Sequence, residues 1–267
     1  MDPDGSNARL LAKSPDILNH GNPRMSHDGK CIAFSGADQT LAAGQCSVYV
    51  IASNGDLKTL KKLGLGRGPK WSPDDSKFAF FLRERDGEPG VYVMDADGTD
   101  RVRLCEGVYP AWSPDGSKIA MASQHEGGWS IYLVQLSGMH RLLSENYAYI
   151  AGGPEWSPDG TQLAFIGNRN AIWELGIVSA KGAKDSFRIR FTIRDRGDIG
   201  WLPAWSPDGK RLVFWIKDEN NADRLHVINP YTEDAPVLLK GQEGTFFNSD
   251  PGWSTDGTKI LFASDRQ

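Results

Sequence analysis

Six aspartates recur along the chain at near-equal intervals: Asp28, Asp74, Asp115, Asp159, Asp208 and Asp256. Carboxylates repeated in this way could ligate a metal or serve as general acids and bases. Each one, however, sits inside a five-residue unit typified by Trp112-Ser113-Pro114-Asp115-Gly116. In such a unit proline pre-sets φ, aspartate suits the next turn position, and glycine accepts positive φ after it. The carboxylate then bonds backbone N–H groups of its own turn. Equivalent turns also spread six carboxylates apart instead of converging them. Turn geometry, not catalysis, is the expectation.

Other catalytic constellations are thin. The five histidines (His20, His27, His125, His140, His226) never pair at short metal spacing. No Gly-x-Ser-x-Gly elbow, phosphate loop or His-Glu-x-x-His occurs. Cys31, Cys46 and Cys105 have no metal spacing, and Cys31 is expected to be buried in a strand as a small hydrophobe. No catalytic residue, metal or cofactor is assigned.

The elements that carry the turns repeat. The copies begin at Met25, Trp71, Trp112, Trp156, Trp205 and Trp253, each with a proline two residues upstream (Pro23, Pro69, Pro110, Pro154, Pro203, Pro251). Intervals of 41 to 49 residues mark a repeat array. The turn is a hairpin connection, so Pro-x-Trp and the apolar run that follows, such as Phe78-Ala79-Phe80-Phe81, form two antiparallel strands. A third strand carries a central aromatic, as in Val48-Tyr49-Val50, Val91-Tyr92-Val93, Ile131-Tyr132-Leu133 and Ile172-Trp173, with His226 taking that slot in the fifth repeat. A fourth follows a polar turn, as Arg101-Val102-Arg103-Leu104 does. In the fourth repeat it reads Phe187-Arg188-Ile189-Arg190-Phe191, a charged edge that deters strand pairing. His27 and Thr255 replace proline, Asp75 replaces glycine, and Met25 replaces tryptophan.

Four strands per repeat of this length describe a β-propeller blade. The pattern Pro-x-Trp-Ser-Pro-Asp-Gly-x-x-(Ile/Leu)-Ala-Phe, then Ile-Tyr with a later glycine, resembles the TolB-type propeller repeat over essentially the whole chain. The resemblance implies an all-β, six-bladed propeller of four-stranded antiparallel blades, with the Trp strand innermost. One domain over 1–267 is expected, with 1–22 as closing strand and leading loop and repeats beginning near 23, 69, 110, 154, 203 and 251. Residues 1–11 match 94–104, so the chain is expected to supply a fourth strand first, closing the ring against the last blade and leaving the sixth blade without its own third strand. The additional N-terminal α/β domain of TolB has no counterpart in these residues.

Short regular turns mark one face as structural. The irregular loops mark the opposite face as the functional candidate, since sites ride on variable loops over a rigid scaffold. The residues chosen there as ligand-binding are His20, Arg67, Tyr109, Tyr149, Arg194, Trp201, Phe247 and Asp250. The same loops hold Asn19, Asn22, Tyr147, Asp195, Arg196, Asp198, Phe246 and Asn248, with Arg83, Arg85, His125 and Trp129 on neighbouring ones. Aromatics mixed with arginine and amides around a funnel suit a peptide segment, a sugar or a small ligand. Arg196-Gly197-Asp198 matches an integrin-binding tripeptide, a pattern that recurs by chance.

A net charge of −4 and a pI near 5.8 argue against nucleic acid as partner. No apolar run reaches membrane-spanning length. The N-terminus has no basic and apolar leader; the resemblance is compatible with a periplasmic or extracytoplasmic location. The reading is a non-catalytic binding or scaffold propeller that engages a protein or peptide at the loop-rich face and central pore. The alternative is a carbohydrate lyase or hydrolase at the same mouth. Uronate lyases that resemble this fold hold a metal with several histidines, but only His20 and His125 fall on the candidate face.

Overall fold

The Ser-x-Asp-x turn folds the same way six times. In the third copy Gly116 N–H donates to Ser113 O at 2.8 Å, and Lys118 N–H to Ser113 Oγ at 2.9 Å. Asp115 Oδ1 accepts from Ser117 N–H at 3.0 Å and from the Ser113 hydroxyl at 2.6 Å. Asp28, Asp74, Asp159, Asp208 and Asp256 accept the same pair of bonds in their own turns. Those bonds favour the charged form. The Ser72, Ser113 and Ser254 hydroxyls hold Asp74, Asp115 and Asp256 down to about 2, and the Lys30 N–H does the same for Asp28. The repeated carboxylates are turn elements.

The turns join strands into consecutive antiparallel sheets in a computed structural model, which describes residues 1–125, 128–135, 140–181, 188–193, 202–243 and 247–265. The first sheet holds β1 (Ile17–Met25), β2 (Cys31–Asp38), β3 (Ser47–Ala52) and β4 (Lys61–Leu65); the second holds β5 (Arg67–Trp71), β6 (Lys77–Leu82), β7 (Gly90–Asp95) and β8 (Val102–Cys105). The third is built from β9 (Val108–Trp112), β10 (Lys118–His125), β11 (Gly128–Gln135) and β12 (His140–Tyr147). The fourth follows with β13 (Tyr149–Trp156), β14 (Gln162–Arg169), β15 (Ile172–Ser179) and β16 (Arg188–Ile193). A fifth comprises β17 (Ala204–Trp205), β18 (Leu212–Lys217), β19 (Asp223–Ile228) and β20 (Val237–Leu238); β21 (Asn248–Trp253) and β22 (Ile260–Ser264) make a two-stranded sheet.

Apolar faces of successive sheets pack together. Ala164, Ile166 and Leu175 of the fourth meet Trp205, Leu212 and Phe214 of the fifth, and Ala33 and Val48 of the first meet Trp71, Phe78 and Phe80 of the second. The second strands are dry because they are covered on both faces: Phe78, Phe80, Phe165 and Phe214 are each 0% exposed. The tryptophans also stitch sheets with hydrogen bonds. Indole N–H groups of Trp71, Trp156, Trp205 and Trp253 each donate at 3.1 Å to a carbonyl of the preceding repeat: Arg24, Ala111, Glu155 and Ala204 respectively. Trp112 Nε1 is buried without such a bond.

Several expectations need correction. Among the described residues the structure shows five four-stranded blades where six blades were expected; the sixth repeat contributes only the β21–β22 hairpin. Residues 1–16 hold turns and bends but no strand; a fourth strand pairs only with a third, and β22 has none beside it for residues 3–11 to follow. Met1 exchanges backbone bonds of 2.8 and 3.0 Å with Ile260, and the Asp4 carbonyl accepts from Lys240 N–H at 3.0 Å. In the fourth sheet Gly176, not Trp173, lies opposite Phe165; Trp173 lies opposite Asn168, near the start of β15. Cys31 is half-buried, and Cys105 is the buried thiol. Arg190 of the basic outer strand pairs with Glu233 at 3.1 Å; Phe187 lies outside the described residues.

Candidate functional site

The residue before each repeat proline is what the innermost strands present to the centre. Proline supplies no ladder N–H and is accommodated in strands at bulges. The pairing register slips across positions 22–23, 68–69, 109–110, 153–154 and 250–251. At four of them the pre-proline residue takes a left-handed backbone: Asn22 (φ 54°), Gly68 (57°), Tyr109 (55°) and Asp250 (54°). Asn, Gly and Asp are the types that adopt it readily, whereas a tyrosine is strained there by roughly 1–2 kcal/mol.

Of the pre-proline residues, Asn22, Tyr109, Leu202 and Asp250 border a cavity of about 270 Å³, with His20, Arg67 and Arg83 from the same end of the sheets. Tyr109 is over-determined. Its ring meets Phe81 edge-on at 4.8 Å and its hydroxyl accepts from Arg83 Nη2 at 3.1 Å. A Cβ on Gly153 would come within 2.2 Å of the Tyr109 Cβ, so only glycine fits beside it. Burial pushes the phenol well above its usual range.

Charge at this mouth is distributed unevenly. Arg67 Nε donates to Asp86 Oδ2 at 2.7 Å and its Nη2 to Oδ1 at 3.4 Å; the Asp86 side chain is 0% exposed. Arg67 is therefore anchored by the fold. Burial raises the Asp250 carboxyl, which accepts from Asn22 N–H at 3.1 Å. His20 stands at the rim with its ring 5.6 Å from Phe34; partial burial first, then the charge of Lys13, lowers its imidazole pKa.

Of the residues read from sequence, the structure brings His20, Arg67, Tyr109 and Asp250 into one cavity. Tyr149 is beside it in a cluster with Trp129 (5.6 Å) and Trp173 (6.4 Å). Phe247 does not line the cavity; it is 41% exposed, with its N–H on Asp265. Tyr147 is core, its hydroxyl 3.2 Å from Glu174, and Asn248 is buried. Arg194 and Trp201, with Asp195, Arg196, Asp198 and Phe246, lie outside the described residues, as do the side chains of Asn19 and His125. Ser35, Cys46, Phe81 and Leu202 were missed as lining residues. For Leu202 the signal was available: it directly precedes Pro203.

A second cavity, about 530 Å³, opens at the opposite end of the inner strands, the face expected to be structural. Five indoles (Trp71, Trp112, Trp156, Trp205, Trp253) and the turn prolines line it, with Arg24, Lys70 and Glu155 in its wall. Burial, then the charge of Arg24, lowers the Lys70 ammonium to about 8 although Glu155 is its partner. Among the described residues no cluster of three or more His, Cys, Asp or Glu could hold a metal ion, and no helix is long and apolar enough to cross a membrane.

Four-stranded antiparallel sheets repeated about inner Pro-x-Trp strands define a β-propeller. The chain is similar in structure to TolB from Acinetobacter baumannii (TM-score 0.76, 20% identity), covering 95% of this chain and 61% of that one. It therefore spans about three fifths of that protein's length. A TolB-like protein of Agrobacterium tumefaciens matches at TM-score 0.73 and 20% identity over 96% of this chain and 93% of that one. An oligogalacturonate lyase from Vibrio parahaemolyticus matches at TM-score 0.55 and 12% identity, over 94% and 88%. No protein-family model matches the chain, and no curated protein matches it significantly.

Proposed function

We propose that this chain is a non-catalytic, six-bladed binding propeller that engages a protein or peptide at the mouth ringed by its pre-proline residues. The whole chain acts as one domain, with β21–β22 as the core of the sixth blade. Contacts between the two ends support the closed ring: Arg24 Nη1 donates to Pro251 O at 3.1 Å, and Gly29 of the first turn faces Thr255 of the last.

The observation that carries the function is Tyr109. A bulky residue is held in left-handed backbone, against Phe81 and under Arg83, at the edge of a cavity of about 270 Å³. Strain of this kind concentrates at ligand sites, and the volume falls just below the usual range for small-molecule pockets. It suits one large side chain of a peptide, anchored between an aromatic wall and an arginine. His20, Arg67, Tyr149 and Asp250 complete the proposed contact set, and Arg194, Trp201 and Phe247 belong to the same proposed face. The likeness to TolB structures supports a binding role, whereas the likeness to an oligogalacturonate lyase supports the alternative of a carbohydrate-active enzyme at this mouth.

The test is a selection of displayed random peptides on the immobilised chain, followed by calorimetry with wild type and Arg83→Ala. Peptides sharing an aromatic anchor, with affinity reduced at least tenfold by Arg83→Ala, support the reading. Turnover of an oligouronate, with no peptide enriched, replaces it with the enzyme.

A further inference from the structure

The middle residue of each Pro-x-Trp (Pro-x-Met in the first copy) lies on the wall of the larger, tryptophan-lined cavity. Arg24, Lys70, Ala111, Glu155, Ala204 and Gly252 hold these six places, and all six line its volume of about 530 Å³. Three are small and leave room, and three are charged. Arg24 and Lys70 are each only 9% exposed. Glu155, paired with Lys70, is the one carboxylate set against them among the described lining residues. His27, which also lines the cavity, is taken up by Asp75 at 2.9 Å. Asp250 lies near enough to Arg24 to feel its charge, but its carboxylate accepts from Asn22 N–H and borders the other cavity. Two buried cations therefore share one carboxylate in this wall, and uncompensated buried charge is costly.

Hydrogen bonding has the same imbalance. Arg24 uses only Nη1, which donates to the carbonyls of Pro23 at 2.8 Å, Pro251 at 3.1 Å and Asp250 at 3.5 Å. Its Nε and Nη2 are buried without a partner. Those two nitrogens form one edge of the guanidinium, the fork that matches both oxygens of a carboxylate. Arg67 uses that same edge on Asp86, with Nε on Oδ2 and Nη2 on Oδ1. Trp112 adds a further donor. Its Nε1 is buried without an acceptor, whereas the other four lining indoles each donate to a carbonyl. Every unpartnered buried side-chain group on the described residues of this wall is thus a donor, and a buried donor left unpaired costs free energy that an acceptor would recover.

We propose that the tryptophan-lined cavity is a binding site for a monocarboxylate with a flat apolar body, its carboxylate on the Arg24 fork beside Lys70 and its body among the indoles and turn prolines. The volume lies within the usual range for small-molecule pockets. A planar carboxylate fits the fork on both oxygens. A phosphate dianion fits this wall less well, because Glu155 repels the second charge and the indoles offer nothing to its remaining oxygens. The same chemistry is carried by a free small acid and by the C-terminal carboxylate of a polypeptide.

The experiment titrates the full chain with hydrocinnamate by calorimetry and follows the Trp112 indole N–H by NMR of ¹⁵N-labelled protein. Hydrocinnamamide is the uncharged control. Saturable binding of the acid is expected, with a shift of the Trp112 indole N–H and affinity at least tenfold lower for the amide. Arg24→Met and Lys70→Met should each weaken binding of the acid at least tenfold. Glu155→Gln should instead tighten it about threefold or more, because it removes the carboxylate that competes for Lys70; damage to the fold would only weaken it. No saturable binding at millimolar hydrocinnamate, in wild type or Glu155→Gln, overturns the proposal. So does equal affinity for the amide, or weaker binding by Glu155→Gln. Loss of binding in Arg83→Ala also overturns it, since that places the probe at the opposite mouth. Acetyl-Gly-Gly-Phe as the free acid separates the two sources. Tighter binding than hydrocinnamate supports the site with a polypeptide C-terminus as its ligand, and weaker binding supports it with a free small acid.

Discussion

The backbone N–H of His27 donates to Asp75 Oδ1 at 2.8 Å, and that of Asp28 to Asp75 Oδ2 at 2.9 Å. Both partners depart from the repeat. In the third to sixth copies the turn glycine faces the proline of the preceding copy, as Gly116 faces Pro73. In the first copy histidine restores an N–H that proline lacks, and the facing aspartate of the second copy takes it.

Asp75→Gly alone should therefore destabilise the chain, because it strands the donors of His27 and Asp28. The double variant with His27→Pro returns both turns to the repeat pattern and should recover much of the loss. A coupling of about 1–2 kcal/mol is expected from urea unfolding of the four proteins of the cycle.

Glu155 pairs with Lys70, and Arg24 lies close enough to repel that ammonium, in the wall of the tryptophan-lined cavity. Glu155→Gln should cost about 2 kcal/mol, less than a fully buried pair because the carboxylate side chain keeps 23% exposure. The sign for Lys70 follows from a folded value of about 8 against 10.5. The unfolded chain binds the proton more tightly, so stability should rise as pH goes from about 8 to 10.5. That rise should vanish in Lys70→Met, read by urea midpoints across this pH range.

Asp250 titrates in the opposite sense. Burial raises its carboxyl above 3.8, so the folded chain holds that proton more tightly than the unfolded chain. Its stabilisation is complete below pH 3.8 and is lost as pH rises through the raised value. Asp250→Asn keeps an acceptor for Asn22 N–H and removes the charge. It should melt higher than wild type at pH 7, with the difference closing as the pH falls toward 3.8.

Arg67 and Arg83 should separate by assay although both line the mouth. Arg67→Met leaves the fully buried Asp86 carboxylate without its cation and should lower stability by about 3 kcal/mol, measured by denaturant unfolding. Arg83→Ala removes one bond to the Tyr109 hydroxyl and should cost about 1 kcal/mol, while peptide affinity falls at least tenfold.

Much of this architecture is legible from short segments. The serine, aspartate and glycine of each turn act within five residues of one another, so their bonds follow from local spacing, and the apolar runs after them become buried second strands. The mouth was half legible. Tyr109 and Asp250 were legible as aromatic and acidic residues on the irregular loops, but Leu202 and Phe81 carry no polar mark. Phe247 and Tyr147 look like their neighbours in sequence yet point elsewhere.

By itself the sequence determined the repeat, the order of strands and the role of the six aspartates, because turn chemistry and strand periodicity are local. Tertiary structure decided what those strands present. The slip at each proline depends on the partner strand, and it turns Asn22, Tyr109 and Asp250 toward one cavity. Met1 meets Ile260 only because packing brings positions 259 residues apart into one ladder.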